Sequence, residues 1–171
     1  MKSIHYCVAM SLDGYIAGPN DEYDWILMDP DIDFESYMDR FDTYVMGRKA
    51  FEITGSGPSS ECRTIVVSRT LKNADHPNIT IIRDDLKNAI AELQKEADKN
   101  IWLFGGGQLF SSLLDLGLVD VVEVSIIPIL LGSGVPFLQS RSEQTKLQLI
   151  KSRVYEKSGT VSLEYAVDRT A

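Results

Sequence analysis

Cysteine is almost absent: Cys7 and Cys62 are the only two in 171 residues. Two thiols with no accompanying His/Cys spacing provide neither a disulfide framework nor a metal motif. Long apolar runs are also missing, and no segment approaches the ~20 apolar residues of a membrane span. The opening MKSIHY lacks the apolar stretch of a secretory leader. Positive charge is in short supply, with 17 Lys and Arg against 25 Asp and Glu and a formal net charge of −8. Such a chain repels polyanions, which argues against nucleic acid or an anionic membrane as partner. These absences predict a cytoplasmic, reduced setting and a small-molecule ligand.

What is present is ordinary globular composition, 44% hydrophobic and 25% charged. That content, over this length, suits one domain with its own core. Residues 4–10 (IHYCVAM) read as a buried strand, apolar on both faces. SLDGYIAGPNDEYDW, rich in Gly, Asp and Asn, predicts an irregular loop whose Tyr15, Ile16, Tyr23 and Trp25 fold back over something. Phe34, Met38 and Phe41 are spaced for one face of a helix over 32–41, capped by Asp31 or Asp33. Further strands are predicted at 43–46, 63–68, 79–82, 101–104 and 119–127, with helices at 48–53, 84–99 and 108–116. The tail predicts an antiparallel hairpin over 146–156 and 160–168. Strand–helix alternation implies an α/β fold: a mostly parallel central sheet, helices on both faces, and an antiparallel hairpin at one edge.

Two strand-to-helix junctions carry glycine, VMGRKAFE (45–52) and WLFGGGQLFSSLL (102–114). A helix start offers unpaired amides to phosphate, and glycine lets the anion come close. Either junction alone is as well explained by tight packing; two in one sheet can grip a pyrophosphate. The triplet lacks G-x-G-x-x-G spacing and the Walker Lys-Ser/Thr pair, so a nucleotide site of another type is implied. Ser68-Arg69 falls at the carboxyl end of a strand, where a hydroxyl beside a guanidinium suits a terminal phosphate. Arg48, Lys49 and Arg83 are further local cations.

VMGRKAFE, VVSR and FGGGQLF, in that order, resemble the cofactor-binding elements of the dihydrofolate reductase superfamily. SLDGYIAG and PILLGSGVPF resemble more closely the riboflavin-biosynthesis reductase domain, the RibD C-terminal family. The resemblance runs from about residue 4 to 167 and implies a single-domain, three-layer dihydrofolate reductase-like fold that binds NADPH. It places Gly47, Arg48 and Lys49 on the cofactor phosphates and Ser68 with Arg69 on the adenosine 2′-phosphate. Gly105, Gly106, Gly107, Gln108 and Leu109 would then wrap the pyrophosphate and nicotinamide half, with Ala9 and Ile16 bordering the nicotinamide.

Hydride delivery to a C=N or C=O bond needs a proton at the other atom. Asp31, counted back from Gly47, falls where dihydrofolate reductases place their pterin-binding carboxylate, although an N-cap is its plainer use. Asp13 of SLDG matches a residue at the mouth of the substrate pocket in riboflavin-type reductases, although Asp-Gly is also a common turn. Glu35 and the LLGSGVPF loop depart from true dihydrofolate reductase. The implied reaction is NADPH-dependent reduction of a small heterocycle such as a 5-amino-6-(5-phosphoribosylamino)uracil-like pyrimidine. The alternatives are a nucleotide-binding module without turnover and a true dihydrofolate reductase. His5 reads as a hydrogen-bonded core residue and His76 as solvated, and VDVVEVSII (119–127) with the long Gly-Pro loop that follows it is the expected surface of a homodimer.

Overall fold

The computed structural model describes residues 1–169. Ten strands and four helices follow one another as β1 (Ile4–Ser11), β2 (Tyr15–Ala17), α1 (Phe34–Met38), β3 (Phe41–Gly47), α2 (Arg48–Thr54), β4 (Arg63–Val67), β5 (Thr80–Ile82), α3 (Leu86–Glu96), β6 (Asn100–Gly105), α4 (Gly107–Asp115), β7 (Val121–Ile127), β8 (Val135–Pro136), β9 (Leu147–Tyr155) and β10 (Thr160–Val167). Eight strands make one sheet in the order β5-β4-β3-β6-β1-β7-β10-β9. All neighbours run parallel as far as β7; β10 is antiparallel to both β7 and β9.

The apolar runs in the middle strands are explained by helices on both faces of this sheet. Alternate side chains go to opposite layers. Ile4, Tyr6, Val45 and Leu103 pack with Ile90 and Leu93 of α3 and Leu109, Phe110 and Leu113 of α4. Cys7, Tyr44, Met46 and Trp102 face the other way, against Tyr37 and Met38 of α1 and Ala50 and Phe51 of α2.

Two local expectations are corrected and a third is narrowed. The helix expected over 32–41 spans only Phe34–Met38 and is capped by Asp33, whose Oδ1 accepts the Ser36 amide at 3.0 Å. Phe41 satisfies the helical spacing, but it opens β3 opposite Asn100 and is buried there. Next, the two loops are not wholly irregular: β2 and β8 pair antiparallel, and Gly134 lies so close to the Ala17 carbonyl that no larger residue fits. Finally, β7 is an interior strand whose two edges are paired with β1 and β10. Exposed apolar side chains lie instead on the edge strand β9, at Leu147, Leu149, Ile150 and Val154. Among the described residues, no helix is long and apolar enough to cross a membrane.

Candidate active site

The carboxyl ends of β1, β3, β4 and β6 open onto one cleft of about 1400 Å³. Open α/β sheets bind ligands at this edge.

One end of the cleft is built from backbone. Met46 of β3 stands opposite Gly105 of β6, so the glycines that start α2 and α4 emerge side by side. A side chain at Gly105 or Gly106 would meet nothing within 4 Å, and one at Gly47 only the Gly105 carbonyl at 3.9 Å. Packing therefore does not demand these three glycines. Their bare backbone faces the cleft, and Gly105 also holds a φ of 144° that favours glycine. The Gly105–Gly106 peptide is cis. Gly107 differs, because a Cβ there would lie 2.5 Å from the Pro136 carbonyl oxygen. Packing explains that one. No side chain caps the start of α4, which leaves its first amides open to an anion.

The cations expected at this end all line the cleft. Arg48 is paired with Glu52 at 2.8 Å and Lys49 with Asp21 at 2.8 Å. Arg69 is exposed and forms no ion pair among the described residues. Ser68 is buried, and its Oγ accepts the Thr70 and Leu71 amides at 3.2 and 3.1 Å, shaping the turn that presents Arg69. Arg83 braces the same turn by donating to the carbonyls of Arg69 and Leu71. Ala9, Ile16, Gln108 and Leu109 also line the cleft.

The other end is built from side chains. Glu123 of β7 is buried, and its carboxylate is fully engaged. Oε1 accepts from His5 Nδ1 and Arg40 Nη2, both at 2.7 Å; Oε2 accepts from Arg40 Nη1 at 3.0 Å and the Tyr37 hydroxyl at 3.2 Å. Burial opposes ionisation of Glu123, but the hydrogen bonds from His5 and Arg40 outweigh it and pull the carboxyl down to about 2. Burial pushes the Tyr37 phenol above its ordinary value, and the Cys7 thiol likewise. Tyr37, Cys7 and Glu123 line the cleft together with Ser125 and Ser162, whose hydroxyls are 3.4 Å apart.

Sequence reasoning identified His5 as a hydrogen-bonded core residue but missed Glu123, Arg40 and Tyr37. One signal was present: Glu123 is a lone carboxylate inside the apolar VVEVSII, where a charge must find partners.

Neither expected carboxylate lines the cleft. Asp13 joins two loops, accepting the Ser11 hydroxyl at 2.7 Å and the amides of Leu131 and Gly132 at 3.1 and 2.7 Å. The Ser11 hydrogen bond leads in lowering its pKa. Asp31 is half-exposed and paired with Lys157 at 2.6 Å, and it is not the helix cap.

Comparison with known proteins agrees with this architecture. The family model of the RibD C-terminal domain matches residues 2–161. The uncharacterized protein YyaP of Bacillus subtilis (strain 168) is 34% identical over 92% of this chain and 91% of its own. Among solved structures, a protein assigned by name to riboflavin biosynthesis from Shewanella sp. PV-4 superposes with a TM-score of 0.83 at 27% identity, covering 99% of this chain and all of that one. Dihydrofolate reductase from Enterococcus faecalis, complexed with NADP(H), shares the fold with a TM-score of 0.72 at 18% identity, covering 97% and 96% of the two chains. With a family model spanning nearly its whole length and a curated relative of similar size, this chain belongs to the RibD C-terminal domain family.

Proposed function

We propose that the protein is an NADPH-dependent reductase of a small heterocycle, a pyrimidine of the 5-amino-6-(5-phosphoribosylamino)uracil type being the class its family relationship suggests. The observation that carries this reading is the cradle of Gly47, Gly105 and Gly106, three glycines that packing does not require and that leave backbone bare between two adjacent strands. A pyrophosphate fits such a cradle, with the start of α4 at one side and Arg48 and Lys49 at the other. Those two cations would exchange Glu52 and Asp21 for phosphate. Arg69 stands apart on its turn, exposed and in no ion pair among the described residues, which suits the extra phosphate of NADPH over NADH.

When bound, the cofactor supplies the hydride. Ala9, Ile16 and Leu109 line the cleft and would help to keep water from the transfer. Glu123, ionised down to about pH 2, is an anion throughout the neutral range and cannot itself deliver the proton. Its contribution is to hold Tyr37 and Arg40 in place.

Titration with NADPH and NADH, followed by nucleotide fluorescence, tests the reading. NADPH binds in the micromolar range or tighter, and Arg69→Ala weakens NADPH about tenfold while leaving NADH unchanged, as expected for one charge-assisted contact of roughly 1.5 kcal/mol. Equal affinity for the two nucleotides in the wild type overturns it. A nucleotide-binding module without turnover is the second reading, favoured by the structural use of both Asp13 and Asp31. Substrate-dependent NADPH oxidation removes it.

A further inference from the structure

The buried side-chain array at the inner end of the cleft has a fixed direction of hydrogen bonding. An ionised carboxylate has no proton to give, so every partner of Glu123 is a donor. The Arg40 guanidinium engages both carboxylate oxygens, at 2.7 and 3.0 Å, and locks their orientation. His5 Nδ1 adds a third bond at 2.7 Å. The Tyr37 hydroxyl makes the fourth, and a phenol has only one proton. With that proton committed to Glu123 the phenol oxygen is left to accept, and on the protein side its neighbour is the buried Cys7 thiol.

The ring carrying it is held on several sides. Trp102 meets it edge-on at 5.6 Å, Phe41 lies 5.8 Å away, and the Arg40 guanidinium sits 5.1 Å from its centroid. The same cleft is lined by the small hydroxyls of Ser125 and Ser162, which can donate or accept, and by the apolar side chains of Met28, Ile32 and Phe34. Among the described residues lining the cleft, the cations are Arg48, Lys49, Arg69 and Arg83, all at the nucleotide end.

We propose that Tyr37 is a specificity-determining residue whose oxygen accepts a hydrogen bond from the N–H edge of a flat, uncharged heterocycle, with Glu123, Arg40 and His5 acting as positioning residues behind it. This assignment rests on the reductase reading above and narrows it to substrates carrying a ring or lactam N–H. His5, Cys7 and Glu123 also bring ligand atoms within 4.8 Å of one another. A metal ion there would have to displace the guanidinium that already occupies both carboxylate oxygens, so an organic donor fits better than a cation.

The test uses the full chain saturated with NADP⁺ and two probes, 5,6-diaminouracil and its 1,3-dimethyl analogue, titrated by calorimetry. The wild type binds the N–H form at least tenfold more tightly. Tyr37→Phe keeps NADPH affinity within twofold but shrinks the preference between probes to less than threefold. Glu123→Gln, with Tyr37 still present, also erodes the preference, which a merely structural role would not do because both probes would weaken together. The proposal fails if neither probe binds, if the wild type does not discriminate, or if discrimination survives Tyr37→Phe, as exclusion by methyl bulk alone would require. Absence of NADPH binding in the wild type would bring down the reductase reading as well. Intact NADPH binding without an N–H preference brings down this proposal alone.

Discussion

The two ends of the cleft are made in different ways. At the glycine-lined end the surface is main chain, bared by Gly47, Gly105 and Gly106, with exposed cations, two of them paired with carboxylates. At the inner end the surface is side chain, with a buried carboxylate whose four hydrogen bonds come from β1, α1 and the turn between α1 and β3. The glycine-lined end costs the fold little to maintain, because nothing there is desolvated without a partner. The inner end is a closed network in which removing one member leaves the others buried and unsatisfied. Substitutions at the two ends should therefore separate binding from stability.

The largest effect is expected at Glu123. Its carboxyl falls from 4.5 to about 2, which at about 1.4 kcal/mol per tenfold corresponds to roughly 3 kcal/mol. The side chain is only 10% exposed, so solvent screening removes little of this. Glu123→Gln should lose about 3 kcal/mol in urea unfolding at pH 7. Because the folded value lies below the unfolded one, the stabilisation is complete above about pH 4.5 and drains away as pH falls through about 2. The gap between wild type and variant should narrow over that window. A gap independent of pH would mean that Glu123 acts by shape and not by charge.

The same contrast explains what was legible in the sequence. The glycine-lined end is written in contiguous segments, and a glycine at a strand-to-helix junction has a local physical meaning. So do the β-branched runs and the Lys157-Ser158-Gly159 turn, which placed the parallel core and the final hairpin within a residue or two of their observed positions. The inner end joins residues 35, 83, 86 and 118 positions apart, and nothing local to Arg40 or Tyr37 announces that they meet at Glu123. The helix expected over 32–41 failed for a related reason. Phe34, Met38 and Phe41 fit a helical face, but pairing with β6 claims Phe41 for a strand. Tertiary pairing overrode a local pattern.

Gly106 and Gly107 give the next largest effect and the sharpest form of the comparison, because they are adjacent in sequence and opposite in purpose. Gly107→Ala forces a methyl to within 2.5 Å of the Pro136 carbonyl and should destabilise the protein by about 1–3 kcal/mol. Gly106 has a φ of −96°, which any residue adopts, and open space where a Cβ would point. Gly106→Ala should keep stability within about 1 kcal/mol but weaken NADPH about tenfold or more by filling the cradle. Thermal unfolding and nucleotide titration of both variants check the pair. If Gly106→Ala binds NADPH normally, the bare backbone is not where the phosphates lie.

The smallest effect is expected at Asp31, and it decides what that residue is for. Its ion pair with Lys157 is about half-exposed on both sides, and exposed pairs of this kind contribute little. Lys157→Ala should shift the melting temperature by no more than about 1–2 °C. Asp29, two residues earlier, makes the informative control: it is buried and accepts the amides of Asp31 at 2.9 Å and Ser158 at 2.8 Å, tying the segment to the β9–β10 turn. Asp29→Ala strands two donors and should lower the melting temperature by several degrees. Asp31→Asn, by contrast, should leave stability, NADPH affinity and turnover all close to wild type, since its carboxylate faces Lys157 and not the cleft. A hundredfold loss of kcat in that variant, with NADPH affinity intact, would return Asp31 to the chemistry. It would also require the segment carrying it to swing inward when substrate binds, breaking the contact with Lys157.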